Sequence, residues 1–273
     1  MKVVTITEPN VRFKDTRPQE DYTLRSKVHS IFVVADGVTL EGGTDGSYPE
    51  SSGAAEAARL FCEASLRKAE KLFDNFKEEY LKDIFRAGNE AVGSYNRVQG
   101  RTKETIDYFT YDFFAATVAF ALLKDNKLYW FSLCDSYVSV FNATGRKKFS
   151  SPEPWAAVRE KMATLEEADP VERRKKLRRL YRNSADFVGY GVATGEQAAE
   201  SYLNRGVLNL SQGGFFTLYT DGFENYFKIP EFISLFQNWP DNIEQEIRAF
   251  TVLKIKNNPA VYGEERSLIA AAL

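Results

Sequence analysis

The chain has 273 residues, of which 44% are hydrophobic and 14% aromatic, so it can bury a substantial core. Its 36 Lys and Arg residues nearly balance 38 Asp and Glu residues, and the net charge of -2 excludes a general attraction to nucleic acid or acidic membranes. Two cysteines and one histidine exclude a disulfide framework and a multi-histidine metal site. No stretch approaches the roughly 20 apolar residues of a membrane span, and a signal-peptide pattern is missing, so we expect a cytoplasmic protein.

The first hundred residues predict two strands followed by two helices. Strands are predicted over 2–6 and 22–35, the second ending in a run of apolar residues. Residues 49–52 form a helix-start signal, after which small and aromatic residues recur at helical spacing. A second amphipathic helix is predicted from about 75 to 95.

The rest of the chain predicts a meander of strands and a second block of helices. Strands over 113–123 and 128–133 flank a turn at 124–127. Further strands are predicted over 138–141, 215–220 and 267–272, and helices over 231–236 and 243–253. Hairpin connections with helices in two blocks favour an α+β fold, an antiparallel β-sandwich flanked by helices in four αββα layers. No repeat or linker interrupts the sequence, so we expect a single domain over residues 1–273.

Residues 150–187 differ from the rest in being rich in charge and broken by three prolines, at 152, 154 and 170. This pattern predicts a helical flap inserted into the domain. A basic stretch over 173–179 could dock a phosphorylated or nucleic-acid partner. Alternatively, it is a solvated helix face held by the acidic residues at 166–169.

Three apolar strands run directly into an aspartate, at Asp36, Asp135 and Asp221. Aspartate is common in turns, so each one alone indicates only a strand end. Two further acidic pairs, 20–21 and 264–265, stand directly before predicted strands. Together, these positions predict carboxylates at several strand ends.

Converging carboxylates repel one another strongly unless cations neutralise them. Ligands that are all oxygen suit hard cations such as Mg²⁺ or Mn²⁺. Gly37, which follows Asp36, lets a backbone carbonyl approach a metal closely. The residues alone therefore predict a candidate metal site with several carboxylates.

The same segments, in the same order, resemble motifs of the metal-dependent protein serine/threonine phosphatases of the type 2C class. The resemblance runs from about residue 17 to the C-terminus. It rests on 19–21 (first acidic motif), 34–38 (strand-Asp-Gly), 115–118 (small-residue and Thr strand), 134–136 (Gly-Asp-Ser), 219–223 (Thr-Asp-Gly) and 263–269 (Asp-Asn-x-Thr).

This resemblance implies hydrolysis of phosphoserine or phosphothreonine in a phosphorylated protein substrate by water activated at two Mn²⁺ or Mg²⁺ ions, with a weaker third ion. It implies that Asp36 bridges two ions and that the Gly37 carbonyl contacts one of them. The other implied site residues are Glu20 and Asp21, acting through metal-bound water, Asp135 at the third ion, Asp221 as a ligand, and Glu264 in the slot of the last aspartate ligand.

Arg17 is the candidate for gripping the phosphoryl oxygens. A guanidinium fork matches phosphate geometry, and Arg17 lies close to the acidic pair at 20–21. Arg12 or a flap arginine could take this role instead. The alternative for Arg17 is an ordinary surface arginine before Pro18.

Three departures from the resembling motifs keep other functions open. Glu264 stands where the family has Asp, Asn225 where it often has another Asp, and Val38 where some relatives place a histidine acid. They motivate a second hypothesis, a catalytically weak or inactive phosphatase-fold module for regulation or binding. A third is a two-metal nuclease or small-molecule phosphatase, motivated by the basic flap. We expect a monomer that does not bind membranes, and the sequence argues against nucleic acid as a partner.

Overall fold

The computed structural model of the protein describes residues 1–13, 17–40, 51–152, 158, 169–184, 189–210 and 212–273. Its β-structure consists of two antiparallel sheets. In chain order the strands are β1 (Val3–Glu8), β2 (Tyr22–Arg25), β3 (Ile31–Gly37), β4 (Ala116–Lys124), β5 (Lys127–Leu133), β6 (Tyr137–Phe141), β7 (Lys147–Ser150), β8 (Asn204–Asn209), β9 (Phe215–Tyr219) and β10 (Arg266–Ala272).

Each sheet has five strands. The first has the order β1-β10-β9-β6-β7 and the second the order β2-β3-β4-β5-β8. All neighbouring strands pair antiparallel, and the pairs β2-β3, β4-β5 and β6-β7 are joined by short connections. The α+β prediction is therefore confirmed.

The α-helices lie in two blocks with a separate helix between them. The first helix begins at Gly53 and is capped by Ser52, whose hydroxyl accepts a hydrogen bond from the Ala55 backbone N–H at 3.1 Å. In the described residues the helices are α1 (Gly53–Leu72), α2 (Tyr80–Val98), α3 (Pro170–Tyr181), α4 (Pro230–Asn238), α5 (Ile243–Asn257) and the short α6 (Pro259–Tyr262). None of them is both long and apolar enough to cross a membrane.

Alternation along β3 explains why the helices and sheets form four layers. Val33 and Ala35 pack on one face with the residues of α1 and α2, whereas Phe32 and Val34 pack on the other face with residues of the first sheet. A third cluster joins α4 and α5 to the outer face of the first sheet. The order is therefore helix, sheet, sheet, helix.

The terminal strands β1 and β10 pair along their whole length. Their register runs from Val3 opposite Ala271 to Glu8 opposite Arg266. At one end the Ala272 N–H donates to the Lys2 carbonyl at 3.0 Å. At the other end Arg266 forms a buried ion pair with Glu8. Both termini consequently lie at the end of the sheet opposite Arg266.

The single strand predicted over 22–35 is wrong, because the chain turns within it. The Ser26 hydroxyl accepts hydrogen bonds from the N–H groups of Val28 (3.2 Å) and His29 (3.1 Å), and β2 then pairs with β3. The second helix begins at Tyr80 and not near 75, and β4 begins at Ala116 and not at 113. Strands β7 and β8 were not predicted from the sequence.

Strand β7 is largely exposed and β8 is only half-buried, so neither carries a strong apolar signal. The predicted flap over 150–187 contains α3. The side chain of Asp169 caps this helix by accepting a hydrogen bond from the Val171 N–H at 2.8 Å. The predicted helix-start residues 49–50 and the acidic residues 166–168 lie outside the described part of the chain.

Candidate metal centre

Asp36 lies near the end of β3, half-buried, between two adjoining cavities. Asp36 and Thr39 line both of them. The flap cavity, of about 290 Å³, extends towards α3. The acidic cavity, of about 210 Å³, is lined by six charged residues among others: Arg17, Glu20, Asp36, Asp221, Glu264 and Glu265.

The antiparallel pairing of β9 with β10 brings two of the acidic segments together. Asp221 follows the end of β9, and Glu265 precedes the start of β10. The Thr220 N–H donates to the Ser267 carbonyl at 3.0 Å, which continues the pairing up to the site. A Cβ at Gly222 would collide with the Glu265 carbonyl oxygen, so only glycine permits this approach.

Asp21 is buried behind the acidic cavity and bound to the same strand ends. Its Oδ2 accepts a hydrogen bond from the Thr220 hydroxyl at 2.9 Å, and that hydroxyl accepts one from the Ser267 N–H at 2.9 Å. Burial raises the pKa of Asp21 to about 7, partly opposed by its hydrogen bonds with Thr220 and Ser267. Thr220 therefore connects the first acidic pair to β9 and β10.

Glu20 is also buried, and its carboxylate links the site to α1. It accepts hydrogen bonds from the hydroxyl of Thr39 at 2.6 Å and from the hydroxyl of Ser52, the α1 cap. The Gly37 N–H donates to the Glu20 carbonyl at 3.2 Å. A Cβ at Gly37 would lie 2.6 Å from the carbonyl carbon and oxygen of Ala54, so β3 and α1 approach closely only because residue 37 is glycine.

The carboxylates of the site oppose one another's ionisation. Burial, followed by the charges of Asp21, Asp221 and Asp135, raises the pKa of Asp36 well above its ordinary value. Burial and the charge of Asp135 likewise raise the pKa of Asp221. The pKa of Glu265 rises to about 8, mainly through burial. The cluster therefore favours a compensating positive charge.

The donor set fits a hard divalent cation. The acidic groups offer only oxygen atoms, which Mg²⁺ and Mn²⁺ prefer. In the described ranges, no group of three or more Asp, Glu, His or Cys side chains is arranged, as it stands, to hold a metal ion.

Asp135 lies on the other side of Asp36, at the flap cavity. The preceding residue, Cys134, is buried and has a φ of 61°, a left-handed conformation that favours glycine. The resembling family motif has glycine at this position. Cys134 therefore adopts a backbone conformation that suits the glycine of that motif.

Arg17 lines the acidic cavity with its side chain exposed. Its guanidinium group lies 4.5 Å from the ring centroid of Phe13, which also lines this cavity. Arg12 lies over the same ring, at 5.4 Å, but does not line the cavity. Of Arg12 and Arg17, Arg17 is thus the one that lines the acidic cavity.

The flap helix contributes a positively charged wall. Arg174 and Arg178 line the flap cavity together with buried Leu177, on the same cavity as Asp36. Arg182, the residue that follows α3, is buried. Its Nη1 donates a hydrogen bond to Asp112 Oδ2 at 2.8 Å. The basic stretch over 173–179 is therefore not uniformly solvated.

Sequence reasoning missed three contributors to this arrangement. Glu265 was noted only as the neighbour of Glu264, although both line the acidic cavity. Thr220 was visible within the Thr-Asp-Gly motif, but its link to Asp21 was not. The pair of Asp112 with Arg182 joins two irregular regions and gives no local pattern.

This fold is that of the metal-dependent protein phosphatase class. The chain belongs to the protein phosphatase 2C family, which it matches over residues 12–254. No curated protein sequence matches the chain significantly.

Solved structures share the fold at low sequence identity. The serine/threonine phosphatase PstP/Ppp of Mycobacterium tuberculosis is 15% identical with a TM-score of 0.61, covering 100% of this chain and 98% of that one. The S. agalactiae serine/threonine phosphatase is 12% identical with a TM-score of 0.63, covering 100% and 99%. The PstP catalytic domain in complex with two manganese ions is 13% identical with a TM-score of 0.60, covering 98% and 96%.

Proposed function

We propose that this protein hydrolyses phosphoserine or phosphothreonine in protein substrates, using two Mn²⁺ or Mg²⁺ ions bound at the acidic cavity. The observation that carries this proposal is the shared cavity of Arg17, Asp36, Asp221 and the glutamates at 264–265, which come from separate parts of the chain. When bound, the ions supply activation of a water molecule and offset the charge of the phosphoryl group.

Asp36 has the central role in the proposed site. Because Asp36 lines both the acidic and the flap cavity, its two carboxylate oxygens could bind ions on either side of it. Further proposed ligands are Asp221, which follows β9, the Gly37 carbonyl of β3 and a glutamate directly before β10, where the motif resemblance implies Glu264. Asp135 provides a carboxylate for a weaker third ion. Asp21, which accepts a hydrogen bond from Thr220, would contact the ions through a water molecule and not directly.

Arg17 is proposed to orient the phosphoryl group. It carries a fixed positive charge beside several carboxylates, and its fork of N–H donors can bind two phosphoryl oxygens at once. The flap cavity would receive substrate residues next to the phosphorylated one. Its wall combines the apolar side chain of Leu177 with the charges of Arg174 and Arg178.

The test is phosphate release from a phosphothreonine peptide as Mn²⁺ is added, with EDTA as a control. We expect turnover in the wild type and its loss in Asp221→Asn, which keeps the side-chain size but removes the charge. Asp241→Asn is the matched control, because Asp241 lies on the surface and, among the described residues, forms an ion pair with Lys2 alone. Turnover by Asp221→Asn at the wild-type rate would overturn the proposal, as would a preference for nucleotides or oligonucleotides over the peptide.

A second candidate function is a regulatory or binding module with weak or no catalysis. The observation that favours it is Glu264, which stands in the slot of an aspartate ligand and has an exposed side chain. Tight Mn²⁺ binding without peptide turnover would support this candidate. Turnover that depends on Asp221 would exclude it.

A further inference from the structure

Two consecutive glutamates precede β10, and the protein holds them differently. Glu264 is exposed, and no described residue donates a hydrogen bond to its carboxylate. Its backbone carbonyl accepts a hydrogen bond from Arg266 Nη1 at 2.8 Å. Arg266 therefore fixes the main chain of Glu264 but leaves the side chain without an orienting contact in the described structure.

Glu265, by contrast, is held firmly through one carboxylate oxygen. Its Oε1 accepts hydrogen bonds from Gln19 Nε2 at 2.6 Å, from the Glu20 N–H at 2.5 Å and from the Asp21 N–H. No described residue donates to its other oxygen, Oε2. Because Glu265 also lines the acidic cavity, Oε2 is the oxygen that remains for a ligand there.

These hydrogen bonds do not require a negative charge at residue 265. The oxygen of a neutral amide could accept the same three N–H groups. The resembling family motif has asparagine at this position, whereas Glu265 adds a charge beside Asp21 and Asp36. In a cavity already crowded with carboxylates, an additional charge is unfavourable unless a cation offsets it.

We propose that Glu265, through Oε2, is the carboxylate of the β10 end that binds a divalent cation in the acidic cavity, in place of Glu264. The inference rests on the metal-dependent function proposed above, but it assigns a ligand that the family motif does not. A side chain already oriented by three donors loses less conformational freedom on binding an ion than the exposed Glu264 does.

The test is calorimetric titration with Mn²⁺ of the metal-free wild type, Glu265→Gln and Glu264→Gln. Glutamine at 265 retains an oxygen for the three donors, but it removes the charge and replaces Oε2 by an NH₂ group that cannot bind a cation. We expect Glu265→Gln to weaken Mn²⁺ binding on the order of tenfold or more, and Glu264→Gln to change it several-fold less. We also expect metal-free Glu265→Gln to unfold at the same temperature as the wild type or higher.

The affinities of the two variants test this inference separately from the proposed function. Equal Mn²⁺ affinity of Glu265→Gln and wild type, or a larger loss in Glu264→Gln, would overturn the ligand assignment and leave the phosphatase proposal standing. A wild type that binds no Mn²⁺ would refute both. Binding lost in both variants to the same extent would also count against the preference for Glu265.

A measurement on the wild type avoids any folding defect in the variants. Magnesium can be titrated into protein with ¹³C-labelled glutamate while the carboxyl resonances of Glu264 and Glu265 are followed by NMR. We expect the Glu265 resonance to shift and saturate with Mg²⁺, with the larger displacement of the two. A larger displacement of Glu264 would contradict the assignment.

Discussion

Arg182 and Asp112, 70 residues apart in sequence, form an ion pair that is almost fully withdrawn from solvent. The side chains are 2% and 1% exposed. Asp112 also accepts a hydrogen bond from the Phe113 N–H, and Arg101 donates to its backbone carbonyl. This cluster joins the residues that follow α3 to the segment leading into β4, and so anchors the flap helix beside Asp36.

Asp112→Ala should lower the free energy of unfolding by about 3–5 kcal/mol, because it leaves the guanidinium group of Arg182 buried without its charged partner. Urea denaturation monitored by circular dichroism measures this. The control is Asp241→Ala, which breaks an exposed pair with Lys2 and should change stability by less than about 1 kcal/mol. Similar losses in the two variants would contradict the anchoring role.

Thr220→Val should cost about 1–3 kcal/mol of stability, since it removes the hydroxyl shared by Asp21 Oδ2 and the Ser267 N–H. Thr220→Ser, which keeps the hydroxyl, should recover most of this. Strand β9 offers a matched control in Thr217, whose buried hydroxyl has no hydrogen-bond partner among the described residues. Thr217→Val should be neutral or stabilising, and thermal unfolding of the three variants compares them directly.

Gly37→Ala should destabilise the protein by about 1–3 kcal/mol or more, because the new methyl group would overlap the Ala54 carbonyl. It should also weaken Mn²⁺ binding, since any relief of the overlap moves the end of β3. The control is Gly206→Ala in β8, where the atoms nearest to a Cβ belong to the Trp130 side chain, the first at 3.4 Å. Gly206→Ala should change stability by less than about 1 kcal/mol; an equal effect at both sites would refute the close-packing explanation.

The stability of the metal-free protein should fall as the pH rises from about 4 to 8. In the unfolded chain Asp21 and Glu265 lose their protons near pH 4, whereas in the folded chain the pKa values are about 7 and about 8. The folded state thus binds more protons throughout this interval, and the free energy of unfolding decreases with pH. The stability that Asp21 and Glu265 contribute is fully present below about pH 4 and is lost as the pH rises through their folded-state pKa values of about 7 and about 8.

Denaturation in EDTA at pH 5, 6.5 and 8 measures this dependence. In Asp21→Asn the decrease from pH 5 to pH 8 should be smaller than in the wild type, by on the order of a few kcal/mol. Added Mn²⁺ should reverse most of the loss in the wild type at pH 8, because metal binding requires ionised carboxylates. An identical pH slope in the wild type and Asp21→Asn would contradict a raised pKa for Asp21.

The sequence predicted the carboxylates at strand ends because an apolar run that stops at an acidic residue is a local signal. Asp36 and Asp221 both follow such runs, and the structure places them on one cavity. The four layers followed from the grouping of helices and strands. The turn inside 22–35 was missed because apolar residues continue on both sides of Ser26.

Contacts between distant segments could not be predicted in the same way. The Asp112–Arg182 pair depends on how the flap returns to the sheet, which no periodicity encodes. The distinction between Glu264 and Glu265 is similar, because it depends on which side chain meets the N–H groups of residues 20 and 21. Each of these is a tertiary relationship between segments that are unremarkable in isolation.

The pairing of β1 with β10 has a practical consequence for attaching the protein to a surface or a reporter. Strand β10 rises about 3.3 Å per residue, so its seven residues separate Leu273 from the acidic cavity by on the order of 20 Å. Met1 and Leu273 border a common cavity at that far end. A tether joined to either terminus would therefore orient the acidic cavity towards bulk solution, and the two termini are close enough for a short peptide to connect them in a circularly permuted chain.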